Sequence, residues 1–150
     1  MTILYRSAPI HKSDEKLIIN PMVKLHGYNT GHPLDDFILH NHGIVYKGFF
    51  KIQPDLGTVQ YIHSNSRIFA NAIVGPKQCE LSDCLITNAL NLIRNYAIEA
   101  DVLNDIAVDI HSFTSIPGGE NIIDLLKKAF PRDTITVYTG TEHILGLLCK

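Results

Sequence analysis

The stretch His26 to His42 reads HGYNTGHPLDDFILHNH and gathers four of the chain's eight histidines, two adjacent aspartates and two glycines. Imidazole and carboxylate together suit a first-row metal ion. A histidine beside a ligand, with an ordinary pKa near ~6.5, also suits proton transfer. The spacing selects neither chemistry. No HExxH pattern is present, and Asp36 with His40 supplies only one i, i+4 step on a helical face. Gly27 and Gly31 offer a third use, a loop whose backbone approaches a bound group closely and presents N–H donors to an anion. In that reading His26 lies on a ligand-facing loop, Asp35 and Asp36 favour the positive helix start, the other histidines are solvated, and no metal is expected.

A second group of reactive types is Asp109, His111 and Ser112, followed by Phe113, Thr114 and a Gly118-Gly119 pair. A nucleophile-and-base arrangement would need more than this, because the G-x-S-x-G elbow is missing. Structural or ligand-lining roles are expected instead. Phe113 has two uses, stacking on a base or ribose, or covering the core. Lys24 and Lys77 read as solvated loop cations, and Cys79 and Cys84 as packed thiols.

The elements that must position these residues alternate in type. Thr2 to Arg6 and Lys16 to Asn20 are short β-prone runs joined by the polar HKSDE, and Pro21 is expected to stop the second. A loop then runs to Pro33, which suits the first position of a helix from Leu34 to His40 with Leu34, Phe37 and Ile38 on one face. GIVYKGFF, TVQYIHS and RIFANAIV read as strands, two of them a hairpin, with a PDLG turn at Pro54 to Gly57. Ser82 is placed to cap a helix ending near Ala100, with Leu85, Ala89, Leu92, Ile93 and Tyr96 at helical spacing. DIAVDI is a buried strand, HSFTSIPGG a loop, and ENIIDLLKKAF a helix ended by Pro131. TITVYTG is the last clear strand, and EHILGLLCK a short helix or edge strand. Such alternation implies right-handed crossovers and a sheet covered on both faces, with ligands beyond the carboxyl ends of its strands. Lys16 to Asn20 and Asp105 to Ile110 should be neighbours, which sets the loops that follow them side by side.

Composition bounds the function. A chain of 150 residues, 45% hydrophobic and 19% charged, matches one domain with a single core. A formal charge of -2 gives no basic footprint for a phosphate backbone, so nucleic acid is not the leading partner. Three cysteines without a CxxC pair argue against a disulfide framework or zinc knuckle. No apolar run approaches the ~20 residues needed to cross a bilayer. Cytoplasmic residence is the expectation.

Several stretches are similar to one family, the macro domain, and most closely to its ADP-ribose-binding and ADP-ribosyl-acyl-ester hydrolase branch. ENIIDLLKKAFPRDTITVYT looks like that family's last helix and strand. DLGTVQYIHSNSRIFANAIVGPK looks like its central hairpin and the strand ending in VGP, and IIN with its glycine-bearing loop resembles its first ligand loop. The resemblance covers nearly the whole chain and implies one domain, 1–150, with a three-layer α/β/α fold and a mixed, mostly parallel central sheet. It implies a small-molecule nucleotide of ADP-ribose type, or an ADP-ribosylated protein, as partner, with no further cofactor; a homo-oligomer stays open. Ser7-Ala8-Pro9 carries no acid where the family holds the adenine amino group. Val23 stands where it has an asparagine near the distal ribose, because its Asn-Ala-Ala-Asn turn appears as Asn20-Pro21-Met22-Val23.

The ligand-facing residues expected on these grounds are Asn20, His26, Gly27, Asn29 and Gly31 from the first loop, and Ser112, Phe113, Thr114 and Gly118 from the second. Phosphates would lie between the two groups. Three functions remain: a divergent binding module without efficient hydrolysis, an active ADP-ribosyl hydrolase with rearranged groups, and a fold that has lost its pocket and serves assembly. No catalytic residue is assigned.

Overall fold

A computed structural model describes residues 1–23, 34, 38, 40–43, 55–75 and 80–140. The expected ligand residues His26, Gly27, Asn29 and Gly31 lie outside the described residues, as do most of GIVYKGFF and all of EHILGLLCK.

In chain order come β1 (Thr2–Arg6), a 3-10 turn (Ile10–Lys12), β2 (Leu17–Val23), β3 (Val59–Ser64), β4 (Arg67–Gly75), α1 (Asp83–Glu99), β5 (Ile106–Asp109), α2 (Ile110–Thr114), α3 (Ile122–Ala129) and β6 (Thr134–Tyr138). Between β2 and β3 the backbone is helical at Leu34, Ile38 and 40–43. The strands form one sheet in the order β1-β6-β5-β2-β4-β3. Every neighbouring pair is parallel except the β3–β4 hairpin, so the sheet is mixed and mostly parallel as expected.

Strand β2 shows why both faces are covered. Leu17 and Ile19 point into a core with Ile86, Ala89, Leu90 and Ile93 of α1 and with Leu126 and Phe130 of α3 and its end. Ile18 and Met22 point the other way, to Ile10, Leu34, Ile38, Phe69 and Ile73. A strand buried on both faces reads as a continuous apolar run rather than an alternating one, which is what LII provides. The sheet thus lies between two helical layers.

Four local expectations change. Pro21 does not end β2, which continues to Val23 beside β4, with Pro21 opposite Ala72. Pairing with β5 ends at Ile19 and Val108, so at Pro21 the strand has a neighbour on one side only, where a missing N–H is tolerated. The buried stripe of α1 is Ile86, Ala89, Leu90, Ile93 and Ala97, and Leu92 is 42% exposed. Ser82 stands at the N-cap of α1 without a side-chain cap bond. Finally, HSFTSIPGG is a loop only in its second half, because α2 starts directly from β5 at Ile110.

Candidate functional site at the carboxyl edge of the sheet

The parallel pairing of β2 with β5 brings the carboxyl ends of both strands to one edge of the sheet. Leu17, Ile18 and Ile19 pair with Ile106, Ala107 and Val108. Asn20 and Asp109 are each the next residue after the last pair, and each is 1% exposed. Polar groups buried this deeply need partners.

Asn20 finds one across the sheet. Its Nδ2 donates to Asn71 Oδ1 at 3.3 Å, and Asn71 Nδ2 donates to Gln60 Oε1 at 3.0 Å. The three residues are in register on β2, β4 and β3, so their amides form a ladder along one row of the sheet. Asn20 Nδ2 also approaches the Met22 sulfur at 3.2 Å. Asn20 therefore fixes the end of β2 from inside.

Asp109 organises the second segment. Its Oδ1 accepts the His111 backbone N–H at 2.9 Å, which makes it the N-cap of α2. The Ser112 hydroxyl, 1% exposed, donates to the Asp109 carbonyl at 2.7 Å. The signal for this cap, an aspartate directly ahead of a short helix, was legible but is obscured by the Ser, Gly and Pro that follow. His111 and Ser112 thus sit on a helix as neighbours in sequence, and His111 Nε2 is shielded from solvent with no hydrogen-bond partner among the described residues.

The remaining expected residues divide between core and surface. Phe113 is 1% exposed and packs with Leu81, Ile116 and Ile122, so its ring serves the core and not a stacking surface. Thr114 is exposed, with its hydroxyl donating to the Ile110 carbonyl at 3.0 Å. Gly118 has φ +93°, and a Cβ there would lie 1.9 Å from the Leu81 carbonyl oxygen. Its N–H donates to the Glu120 carboxylate at 3.0 Å, so one backbone donor expected to face an anion is already engaged.

At the ends of β1 and β6 the chain is tightly closed. Thr139 N–H donates to the Arg6 carbonyl at 2.8 Å, and a Cβ on Gly140 would fall 2.2 Å from the Ala8 carbonyl carbon. In the opening histidine stretch, His40 and Asn41 are exposed, and the half-buried His42 tilts against Phe69 with ring centres 6.3 Å apart. Among the described residues no three His, Cys, Asp or Glu side chains are grouped to hold a metal ion. Among the same residues no helix is long and apolar enough to cross a membrane.

No protein-family model matches the chain, and no curated protein matches it significantly in sequence. Solved structures do resemble it. The macrodomain of Mycobacterium tuberculosis DarG superposes with a TM-score of 0.72 at 13% identity, over 91% of this chain and 97% of that one. A macrodomain protein from Streptomyces coelicolor gives 0.67 at 18% identity, over 91% and 98%. Thermosipho africanus DarTG, solved in complex with ADP-ribose, gives 0.68 at 13% identity over 91% of this chain and 41% of that one.

Proposed function

We propose that this chain, which has the macro-domain fold, is a single binding module that takes ADP-ribose or a related nucleotide at the carboxyl edge of its sheet, without efficient hydrolysis. The observation that carries this reading is the parallel pairing of β2 with β5, which sets the carboxyl ends of the two strands side by side, with α2 starting directly from β5. In open parallel sheets this edge is where ligands settle. The Thermosipho neighbour, whose structure holds ADP-ribose, supports the ligand class.

The site is divided between supports and contacts. Asn20 and Asp109 are supports, since both are buried and bonded to their surroundings. Ligand contact would come from 24–31, with Gly27 and Gly31 permitting close backbone approach, and from the exposed side of α2, including Thr114. Weak hydrolysis follows from Val23, because an isopropyl group neither hydrogen-bonds a ribose hydroxyl nor orients a water. Release of ADP-ribose from a modified protein, followed with and without the chain, tests this part. Efficient release, abolished by substitutions at this edge, would establish the hydrolase reading instead.

The reading as an assembly protein has two observations of its own. Phe113 is spent in the core, and the Gly118 N–H is satisfied by Glu120. Absence of binding to ADP-ribose, free nucleotides and cyclic dinucleotides alike would favour it.

A further inference from the structure

We propose that two copies of this chain pair edge to edge through β1, antiparallel about a two-fold axis at Leu4. In the strand order β1 is an outer strand, with β6 as its neighbour among the described residues. The Thr2 N–H donates to the Asp133 carbonyl at 3.2 Å, and the Arg6 carbonyl accepts the Thr139 N–H at 2.8 Å. Residues 2, 4 and 6 thus spend their backbone groups on β6, and in a regular strand those of Ile3 and Tyr5 point the other way. The side chains at this edge are uncovered too, with Leu4 44% exposed and Tyr5 60%. Met1, Leu4 and Tyr5 make up half of the large hydrophobic side chains exposed among the described residues.

Proteins blunt an open edge with proline, a bulge or charge. β1 has none of these from Thr2 to Tyr5, and its register with β6 runs unbroken to Arg6. A second copy fits this edge because β1 is complementary to itself. With Leu4 on the axis, Ile3 of each copy faces Tyr5 of the other, and these are the residues whose N–H and C=O groups point outward. Each such pair exchanges both of its N–H···O bonds, which engages every outward group of the strand. Ile3 against Tyr5 also sets a β-branched side chain against an aromatic one, a favourable cross-strand combination. Leu4 meets its own copy at the non-hydrogen-bonded position, where side chains approach most closely.

Charge agrees with this register. Leu4 and Arg6 line an open cleft together with Asp14 and Asp105, so the Leu4 face of β1 is bordered by acids. Thr2 pairs with Thr134, and Ile106 with Ile135, which sets Asp105 level with Thr2. The two-fold axis brings Arg6 of one copy opposite Thr2 of the other, on that face and toward those carboxylates. Arg6 is available there, because its side chain is 60% exposed and holds its own Glu15 only loosely, at 4.0 Å. A foreign strand would match the backbone groups alone, whereas a second copy matches them together with Leu4 and the acidic border. The contact is one short strand per copy, so association is weak and the dimer grows in with concentration. β6 and β5 separate this edge from β2, and the pairing does not depend on the nucleotide reading.

Sedimentation velocity of the full chain from micromolar to millimolar concentration, with backbone amide hydrogen exchange read by NMR, tests the proposal. A monomer–dimer equilibrium is expected, with exchange at Ile3 and Tyr5 slowing as concentration rises. Leu4→Lys sets like charges opposite one another on the axis and should weaken the dimer at least tenfold. Tyr5→Pro removes an outward N–H that β6 does not use, and should weaken it as well. Circular dichroism confirms folding of each variant, and Leu4→Lys, at an exposed position, decides the matter if the proline is not tolerated. A monomer at every concentration, which would leave the edge to a foreign strand, would refute the pairing. So would a dimer that leaves the Ile3 and Tyr5 amides unprotected, or equal dimerisation by folded Leu4→Lys.

Discussion

Asn71 receives the Asn20 amide at 3.3 Å on one side and donates to Gln60 at 3.0 Å on the other, with all three side chains no more than 5% exposed. This row of amides crosses β2, β4 and β3 between layers of aliphatic residues and holds the end of β2 at the carboxyl edge. Asn71→Leu removes the middle member and takes a partner from two buried amides. A loss of about 2–4 kcal/mol of unfolding free energy is expected, at ~1–3 kcal/mol for each buried polar group so deprived. Urea denaturation measures it, and a loss below about 0.5 kcal/mol would show that the ladder is dispensable.

The Gly118-Gly119 turn should tolerate no side chain. A Cβ would lie 1.9 Å from the Leu81 carbonyl oxygen at Gly118 and 2.0 Å from that of Phe113 at Gly119. Gly118 also has φ +93°, a region that costs a non-glycine residue roughly 1–3 kcal/mol before any clash. Gly118→Ala and Gly119→Ala should each lower the melting temperature by several degrees, at about 2–4 °C for each ~1 kcal/mol in a chain of this size. Wild-type melting of either variant would contradict the close packing.

Arg94 and Asp133 tie α1 to the start of β6. The guanidinium Nε donates to Asp133 Oδ2 at 3.0 Å, and the aspartate side chain is only 7% exposed. Arg94→Ala leaves a buried carboxylate short of its cation and should cost about 1.5–3 kcal/mol. Arg94→Lys should restore only part, since it lacks the planar fork. Denaturation of the two variants side by side gives the order.

Alkaline pH should weaken the fold through two tyrosines. Burial first, and then the neighbouring Tyr96, push Tyr61 up to about 12. Burial first, and then the hydrogen bond to the Glu15 carboxylate, raise Tyr138 as well. A pKa raised on folding contributes stability that is complete below the unfolded value near ~10 and is lost as pH climbs through the folded value. Unfolding free energy should therefore be insensitive to these groups below pH ~9 and fall from pH ~10 upward. Tyr61→Phe should flatten the fall, and an unchanged slope in that variant would exclude its part.

Much of this architecture was legible in the chain. The apolar runs of Lys16 to Asn20 and Asp105 to Ile110 announced two buried neighbouring strands, and Asn65 and Gly57, both at positive φ, sit at turns the polar breaks had marked. What stayed hidden depends on neighbours. Whether Pro21 stops a strand is decided by whether β5 still runs beside it. Which stripe of α1 is buried turns on the helix's rotation against the sheet, and Leu85 and Leu92 fit a helical period as well as Ile86 and Leu90 do. Phe113 reads as a loop aromatic until Asp109 is seen to cap a helix that turns it inward. For the candidate site, the neighbouring ends of β2 and β5 at one edge were foreseeable, but the division of Asn20, Asp109 and Ser112 into internal supports was not, because their partners lie elsewhere in the sequence or in the backbone.

The segment 24–31 carries the remaining weight of the nucleotide reading. Gly31→Val would block close approach of the backbone and disfavour any positive φ there. Thr114→Ala should have a milder effect, on the order of 1 kcal/mol if its exposed hydroxyl gains one net hydrogen bond to the ligand.

Calorimetric titration of the wild-type chain and of folded Gly31→Val with ADP-ribose tests the central claim most directly. The account predicts saturable one-to-one binding by the wild type and a strong loss in the variant, with matching circular dichroism spectra. Failure of the wild type to bind, or equal binding by the folded variant, would contradict it.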